Sequence, residues 1–137
     1  MIVAARFHPA IGRALVQAAR ARLERGGVRP RRIRLIWVPG AFELPFAAAR
    51  AARARPRPDA IIAVGALIRG ETPQYQVIAH AVAQSLQDIA VTSDIPVSFG
   101  VIVASTLAQA RARSGGRAGN RGAEAAEAAL AVLGSLS

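Results

Sequence analysis

Three aromatic side chains lie where they could stack on a flat ligand. Phe7 directly follows the first apolar run of the chain, and Phe42 and Phe99 lie in or beside two later ones. Aromatic residues make up only 4% of the chain, so rings beside strand ends fit a stacking surface for a heterocycle. Packing in the hydrophobic core accounts for the same pattern equally well.

An acidic residue and a histidine follow the same runs. Glu43 lies between Phe42 and Leu44, where its carboxylate could accept hydrogen bonds from hydroxyl or N–H groups of a ligand, or cap its own helix. His8 precedes Pro9 and could titrate near neutral pH at a binding site, or be exposed, or cap the first helix. His80 falls on the polar face of a predicted helix, which favours a solvated side chain.

The segment Gly70-Glu71-Thr72 precedes a predicted helix and is a candidate phosphate-binding turn. Thr72 is predicted to be the N-cap, and the free N–H groups of a helix start attract anions. The Glu71 carboxylate would oppose an anion if it pointed inward. An arginine would strengthen the site, and the C-terminal segment offers Arg113, Arg117 and Arg121.

The composition excludes several classes of chemistry. All 18 basic residues are Arg, so a lysine Schiff base and a P-loop lysine are excluded. The absence of Cys excludes thiol nucleophiles, disulfides and iron–sulfur ligation, and two His exclude a His-rich metal site. We therefore expect no metal site.

The net charge of +10 raises the question of nucleic-acid binding. Arginines are dense between residues 20 and 34 and again between residues 50 and 57, but no aromatic residues alternate with them. Base stacking is therefore unsupported, and only sequence-independent attraction to phosphates remains. The pattern favours a solvated basic face over a specific nucleic-acid site.

Apolar runs alternate with helical patterns and short connections along the whole chain. This alternation predicts right-handed βαβ crossovers, and hence an α/β three-layer, flavodoxin-like fold with a four-stranded parallel sheet flanked by helices. With 137 residues and no linker, we expect a single domain over 1–137. The predicted strands are Ile2–Ala5, Ile33–Val38, Ala60–Val64 ending at Gly65, and one within Ile95–Val103.

The carboxyl ends of parallel strands are where such folds bind ligands. That rule selects four segments as the candidate site, and they contain the side chains introduced above: Arg6 to His8, Pro39 to Glu43, Gly65 to Gln74, and the region around Phe99. No apolar stretch approaches the roughly 20 residues of a membrane span, and the first residues do not resemble a signal peptide. We therefore expect a cytoplasmic protein that does not bind membranes.

Five ordered segments resemble the 6,7-dimethyl-8-ribityllumazine synthase family of riboflavin biosynthesis: ARF at residues 5–7, VPGAFELP at 38–45, GALIRGET at 65–72, IPVSFGV at 95–101 and AQARARSGGRAGNRG at 108–122. The family joins 5-amino-6-(D-ribitylamino)uracil to 3,4-dihydroxy-2-butanone 4-phosphate, with loss of phosphate and water. It needs no metal or organic cofactor. The resemblance therefore implies a transferase with two small-molecule substrates and no cofactor.

The resemblance also implies roles for individual residues. Phe7 stacks on the pyrimidine, and Phe99 reaches it from an adjacent subunit. Glu71 and Thr72 bind phosphate through their main chain, and Arg113 completes that site across the interface. Ala41, Phe42 and Glu43 border the ribityl chain. Backbone groups of Ala66, Leu67 and Ile68 hydrogen-bond to the uracil edge.

Gln74 departs from the family pattern, because it stands where the family has a proton-transferring histidine. Gln76 likewise stands where the family has an acidic residue. Glutamine cannot exchange a proton near neutral pH, and general acid–base help contributes about 10² to 10⁴ in rate. We expect a slower enzyme, in which His8 could compensate. A catalytically impaired paralogue that binds flavin or lumazine ligands, or serves as a shell subunit, is the alternative.

The resemblance also has implications for the assembly of the chain. Family members form homopentamers, and some build decamers or sixty-subunit shells. The short connection GGRAGNRG resembles that of shell-forming members, whereas Met1 lies almost at the first strand, where the family has additional residues that pair with a neighbour. We expect a homopentamer, with the larger assemblies open.

Overall fold

The structure is a computed structural model that describes residues 1–137. Four parallel strands form a sheet in the order β2-β1-β3-β4. They are β1 (Ile2–Ala5), β2 (Leu35–Val38), β3 (Ile61–Ile68) and β4 (Val97–Ala104). The predicted four-stranded parallel sheet is confirmed.

Five helices connect and cover the strands. They are α1 (Pro9–Arg25), α2 (Leu44–Ala52), α3 (Gln74–Ser93), α4 (Leu107–Ala112) and α5 (Arg121–Leu136). Two 3₁₀ turns (Pro30–Arg32 and Ala41–Glu43) and a small antiparallel hairpin of β5 (Ser114–Gly116) and β6 (Gly119–Asn120) complete the fold. None of the helices is long and apolar enough to cross a membrane.

The core has two parts, one on each face of the sheet. Side chains alternate along β1, so Ile2 and Ala4 pack against α1 and α5, whereas Val3 and Ala5 pack against α2 and α3. Strands covered on both faces need apolar residues at every position, which explains the continuous apolar runs in the sequence. The predicted three-layer α/β fold is confirmed.

Strand β3 is longer than the sequence predicts, because Gly65 does not end it. The strand continues to Ile68, and Gly65 pairs with Val101 of β4. A Cβ at position 65 would lie 2.9 Å from the Cβ of Ala5, so the glycine permits close approach of β1 and β3. Strand β2 begins two residues later than predicted, at Leu35, and β4 ends at Ala104, one residue beyond the predicted segment.

A close contact between α1 and α5 gives a test of the packing. A Cβ on Gly122 would overlap the backbone of Leu15. We expect Gly122→Ala to lower the free energy of unfolding by about 1 to 3 kcal/mol, because the two helices must separate. Gly134→Ala in the same helix is the control, since nothing lies within 4 Å of its added Cβ. Equal thermal unfolding midpoints for the two variants would contradict the close packing.

Candidate active site

The carboxyl edge of the sheet brings together two of the segments selected from the sequence. Beyond β1, the N–H of Arg6 donates to the carbonyl of Val38 at 2.9 Å, which holds the Phe7 loop beside the end of β2. The 3₁₀ turn Ala41–Glu43 follows β2 and contacts β1, β3 and α3. Phe7 and Glu43 therefore belong to one surface.

All four phenylalanines of the chain are exposed to solvent. The exposed fractions are 76% for Phe7, 65% for Phe42, 72% for Phe46 and 39% for Phe99. Core packing therefore does not explain these rings, because the core is built from Ile, Val, Leu and Ala. Exposed rings at the carboxyl edge are candidates for contact with a ligand or another protein. Phe46 is not among the residues selected from the sequence, although it directly follows the VPGAFELP segment.

The Glu43 side chain caps the 3₁₀ turn in which it lies, whereas it makes no capping hydrogen bond to α2. Its Oε1 accepts a hydrogen bond from the Gly40 N–H at 3.1 Å, and its own N–H donates to the Gly40 carbonyl at 3.2 Å. This reciprocal pair fixes the turn after β2. Oε2 accepts no hydrogen bond within the chain, so one carboxylate oxygen remains available to a ligand.

His8 packs against Phe7 instead of capping its helix. It occupies the N-cap of α1, but its side chain makes no capping hydrogen bond. The two rings meet edge to face, with centroids 5.0 Å apart and planes at 88°. Burial lowers the pKa of the His8 imidazole below its ordinary value of 6.5, so the ring is neutral at pH 7. His80 is exposed on α3, as predicted.

The last residues of β3 offer backbone groups to a ligand. Ala66, Leu67 and Ile68 pair with β4 on one side, whereas the pairing with β1 ends at Val64. Backbone N–H and C=O groups beyond that point on the β1 side therefore have no strand partner. Unpaired backbone N–H and C=O groups can hydrogen-bond to a polar ligand without any side chain.

The prediction that Thr72 caps α3 is wrong. The helix begins at Gln74, its N-cap position is Pro73, and no side chain caps it. Proline disfavours helical geometry in the preceding residue, which leaves Thr72 outside the helix. No hydrogen bond within the chain uses the N–H groups of the segment from Gly70 to Tyr75, so several backbone donors point to solvent at this turn.

Gln74, Glu71 and Arg113 are exposed. Gln74 is the first residue of α3, and its side chain makes no hydrogen bond within the chain. Glu71 is also exposed, so its carboxylate can face solvent. Arg113 follows α4, which contacts β3 and β4, and it forms no ion pair. No group of three or more His, Asp or Glu side chains that could hold a metal ion occurs.

Phe99 does not lie at the carboxyl edge, so its selection by that rule is wrong. It is the third residue of β4 and pairs with Ala63, which pairs in turn with Val3 of β1. Five residues, or about 16 Å, separate it from the end of its strand at Ala104. Within one chain, Phe99 is therefore too far along the sheet to share a small ligand with Phe7.

Two of the cavities in the surface have volumes of about 420 and 530 Å³, and neither of these two is lined by the candidate site residues. The carboxyl edge of one chain is instead an open surface with exposed rings and unpaired backbone donors. Small-molecule sites are usually more enclosed than this surface of a single chain.

Comparison with known proteins agrees with the five segments. The family model for 6,7-dimethyl-8-ribityllumazine synthase matches residues 1–136. The 6,7-dimethyl-8-ribityllumazine synthase of Leuconostoc mesenteroides subsp. mesenteroides is 39% identical over 132 residues, which cover 96% of this chain and 84% of that protein. The synthase of Gemmatimonas aurantiaca is 44% identical over 133 residues, covering 97% and 80%. The chain therefore belongs to the 6,7-dimethyl-8-ribityllumazine synthase family, whose members are transferases of riboflavin biosynthesis.

Proposed function

We propose that this chain condenses 5-amino-6-(D-ribitylamino)uracil with 3,4-dihydroxy-2-butanone 4-phosphate in the cytoplasm, and that it needs no metal or organic cofactor. The main support for the proposal is structural. Phe7, the Glu43 turn and the unpaired end of β3 lie together at one edge of the sheet. These groups match an aromatic, hydroxyl-rich and amide-rich substrate.

The pyrimidine substrate uses the part of the edge nearest β1. Its ring stacks on the exposed face of Phe7, and its uracil edge bonds to the backbone of Ala66, Leu67 and Ile68. The ribityl chain runs along Ala41, Phe42 and Glu43. The free Oε2 of Glu43 accepts hydrogen bonds from the ribityl hydroxyls, which is supported by the commitment of Oε1 alone to Gly40.

The phosphate of the second substrate binds at the uncapped turn before α3. Free N–H groups at Glu71 and Thr72, together with the positive end of α3, favour a dianion there. The Glu71 carboxylate faces solvent and does not oppose the anion. Arg113 of a neighbouring copy supplies the remaining charge.

A second copy of the chain completes the site. The separation of Phe99 from the carboxyl edge of its own sheet supports this, because Phe99 can reach the pyrimidine only from a neighbour. We infer a homopentamer, in which each chain gives Phe7 to one site and Phe99 to the next. Sedimentation of the purified protein distinguishes the pentamer from a decamer or a sixty-subunit shell.

The site lacks a proton-transferring side chain at position 74. Addition of an amine to a carbonyl needs a group that accepts and returns a proton, and Gln74 cannot do so. Proximity and orientation remain, which contribute roughly 7 to 11 kcal/mol in favourable cases. We therefore infer a slowed enzyme in which the neutral imidazole of His8 accepts the proton.

The lowered pKa of His8 predicts a particular pH dependence. Because the ring loses its proton below pH 6.5, we expect kcat to fall only as the pH drops through that lower pKa. Folding also disfavours the protonated ring, so this group reduces stability as the pH falls from 6.5 through the folded-state pKa. An NMR titration of His8 measures the midpoint.

His8→Asn should remove the acidic inflection from the pH profile of kcat, whereas His80→Asn, at an exposed position on α3, should leave it unchanged. If His8→Asn retains the wild-type profile, His8 does not transfer the proton.

The direct test of the proposed function is the steady-state formation of the lumazine chromophore from the two substrates. We expect a rate clearly above that of the enzyme-free condensation. A rate no greater than the background would exclude catalysis.

An impaired paralogue that binds flavin or lumazine ligands, or serves as a shell subunit, is the second candidate. The observation that favours it is Gln74 in place of the family histidine, with Phe7, Glu43 and Arg113 retained. It predicts binding of 6,7-dimethyl-8-ribityllumazine without turnover, which fluorescence titration beside the chromophore assay would reveal.

A further inference from the structure

The cavity of about 420 Å³ opens at the amino-terminal end of the sheet, opposite the candidate active site. Its walls come from the end of α1, the loop before β2, the loop Pro56–Ala60 before β3, and the second half of α5. We call it the amino-terminal cavity. Its volume falls in the range of small-molecule sites.

The floor of the amino-terminal cavity is apolar. Ile33, Ile62 and Ala129 are buried there, and Leu130 and Leu133 of α5 are partly buried beside them. No aromatic side chain lines it. A bound molecule would therefore place an aliphatic or small apolar body on this floor, and the burial of that body would contribute free energy in proportion to its area.

The rim of the cavity carries four guanidinium groups and one carboxylate. Arg32 pairs with Asp59 at 3.3 Å, and both side chains are largely exposed. Arg31, Arg34 and Arg57 have no carboxylate partner. The ammonium group of Met1 also lines the cavity, and three guanidinium groups remain without a carboxylate partner above an apolar floor.

The fold creates this rim from two separate arginine-rich segments. Arg34 Nη2 donates to the Pro56 carbonyl at 2.9 Å, and Arg57 Nη2 donates to the carbonyls of Ser93 and Asp94. The bond to Pro56 holds Arg34 at the cavity, whereas Arg57 lines this cavity and the second one and is bonded to the end of α3. Both use few of the five N–H donors that each guanidinium has. Arg31 donates no hydrogen bond within the chain. Several donors are thus free to bind an anion.

We propose that the amino-terminal cavity binds a small organic anion, with a carboxylate or phosphate head on the arginine rim and an apolar body on the floor. Charge-assisted hydrogen bonds from guanidinium groups suit either head. A bare inorganic anion would leave the floor unused. A nucleic acid would also leave it unused and would find no aromatic ring for base stacking.

Calorimetric titration of the full chain with octanoate at low ionic strength tests the proposal. Acetate has the same head without the body, and octanamide has the same body without the charge. We expect octanoate to bind at least about tenfold more tightly than either, since each lacks one of the two contacts. Equal affinity for octanamide or for acetate would overturn the proposal.

Two double variants with the same loss of charge locate the bound anion. Arg31→Gln with Arg57→Gln should weaken octanoate binding at least about tenfold, because two charge-assisted contacts are lost. Arg50→Gln with Arg111→Gln, both exposed and outside the cavity, should not change it. The single variant Arg31→Gln removes a side chain without a partner and should weaken binding while the fold remains intact.

Arg113→Gln separates this site from the phosphate turn of the proposed reaction, and should leave octanoate binding unchanged. If it abolishes binding while the cavity variants do not, the anion occupies the active site and the proposal is wrong. The proposal is also wrong if poly(U) binds to the rim and octanoate does not, because the rim would then serve a polyanion.

Discussion

Gln74→His is expected to raise kcat for lumazine formation by about 10²-fold or more, since general acid–base help typically contributes 10² to 10⁴. The reason is chemical: imidazole can accept and return a proton near pH 7, whereas a primary amide cannot. KM for both substrates should change little, because the new group acts on the transition state. Steady-state chromophore formation measures both constants.

The position tolerates this change without a cost in packing. Gln74 is exposed at the first residue of α3, and its side chain makes no hydrogen bond within the chain. Gln87→His is the matched control, because Gln87 is exposed on the same helix about 20 Å farther along. An unchanged kcat in Gln74→His, with both substrates still bound, would favour the impaired paralogue.

A double variant then tests whether His8 compensates for Gln74. If both side chains serve the same proton transfer, His8→Asn should cost much less in the Gln74→His background than in the wild type. Additive effects in this cycle would show that the two groups act independently.

Arg113→Gln is expected to raise KM for 3,4-dihydroxy-2-butanone 4-phosphate by about 10- to 100-fold. Loss of a hydrogen bond to a charged group costs about 1.5 to 3 kcal/mol, which corresponds to this range. KM for the pyrimidine should change little, because its contacts lie on other segments. Arg111→Gln, an exposed arginine two residues earlier, should leave both constants unchanged.

Mixed assemblies test whether Arg113 acts across an interface. Arg113→Gln and Phe7→Ala remove groups that we place on opposite sides of each site. A functional site needs Phe7 from one chain and Arg113 from its neighbour. When the two variants are co-expressed in equal amounts, half of the chains retain each group, so about one quarter of the sites should be intact. Activity no higher than that of either variant alone would place both groups in a site within one chain.

Local apolar patterns predicted the elements of this fold well. Continuous apolar runs correspond to strands that are covered on both faces, and helical spacing of Ile11, Leu15 and Leu23 corresponds to the buried face of α1. The boundaries of β3 and α3 were predicted wrongly because glycine and proline each occur in more than one structural setting. Gly65 permits a close approach of two strands instead of ending one, and Pro73 rather than Thr72 precedes α3.

The site was predicted less completely than the fold. Phe7 and the Glu43 turn follow short strands that end at the same edge of the sheet, which is where the carboxyl-end rule expects them. Phe99 follows no strand end, and its position depends on the register of β4 with β3, which pairs residues far apart in sequence. A local pattern carries no information on that register.

By itself the sequence determined the order of strands and helices, the parallel sheet and the family, because apolar periodicity and short motifs are local properties of the chain. Only the tertiary structure decided which strands are neighbours, and hence that Phe99 lies far from Phe7 within one chain. It also decided that Arg31, Arg34 and Arg57, which come from two separate segments, line one cavity. Those outcomes depend on contacts between distant segments, which form only when the whole core is buried.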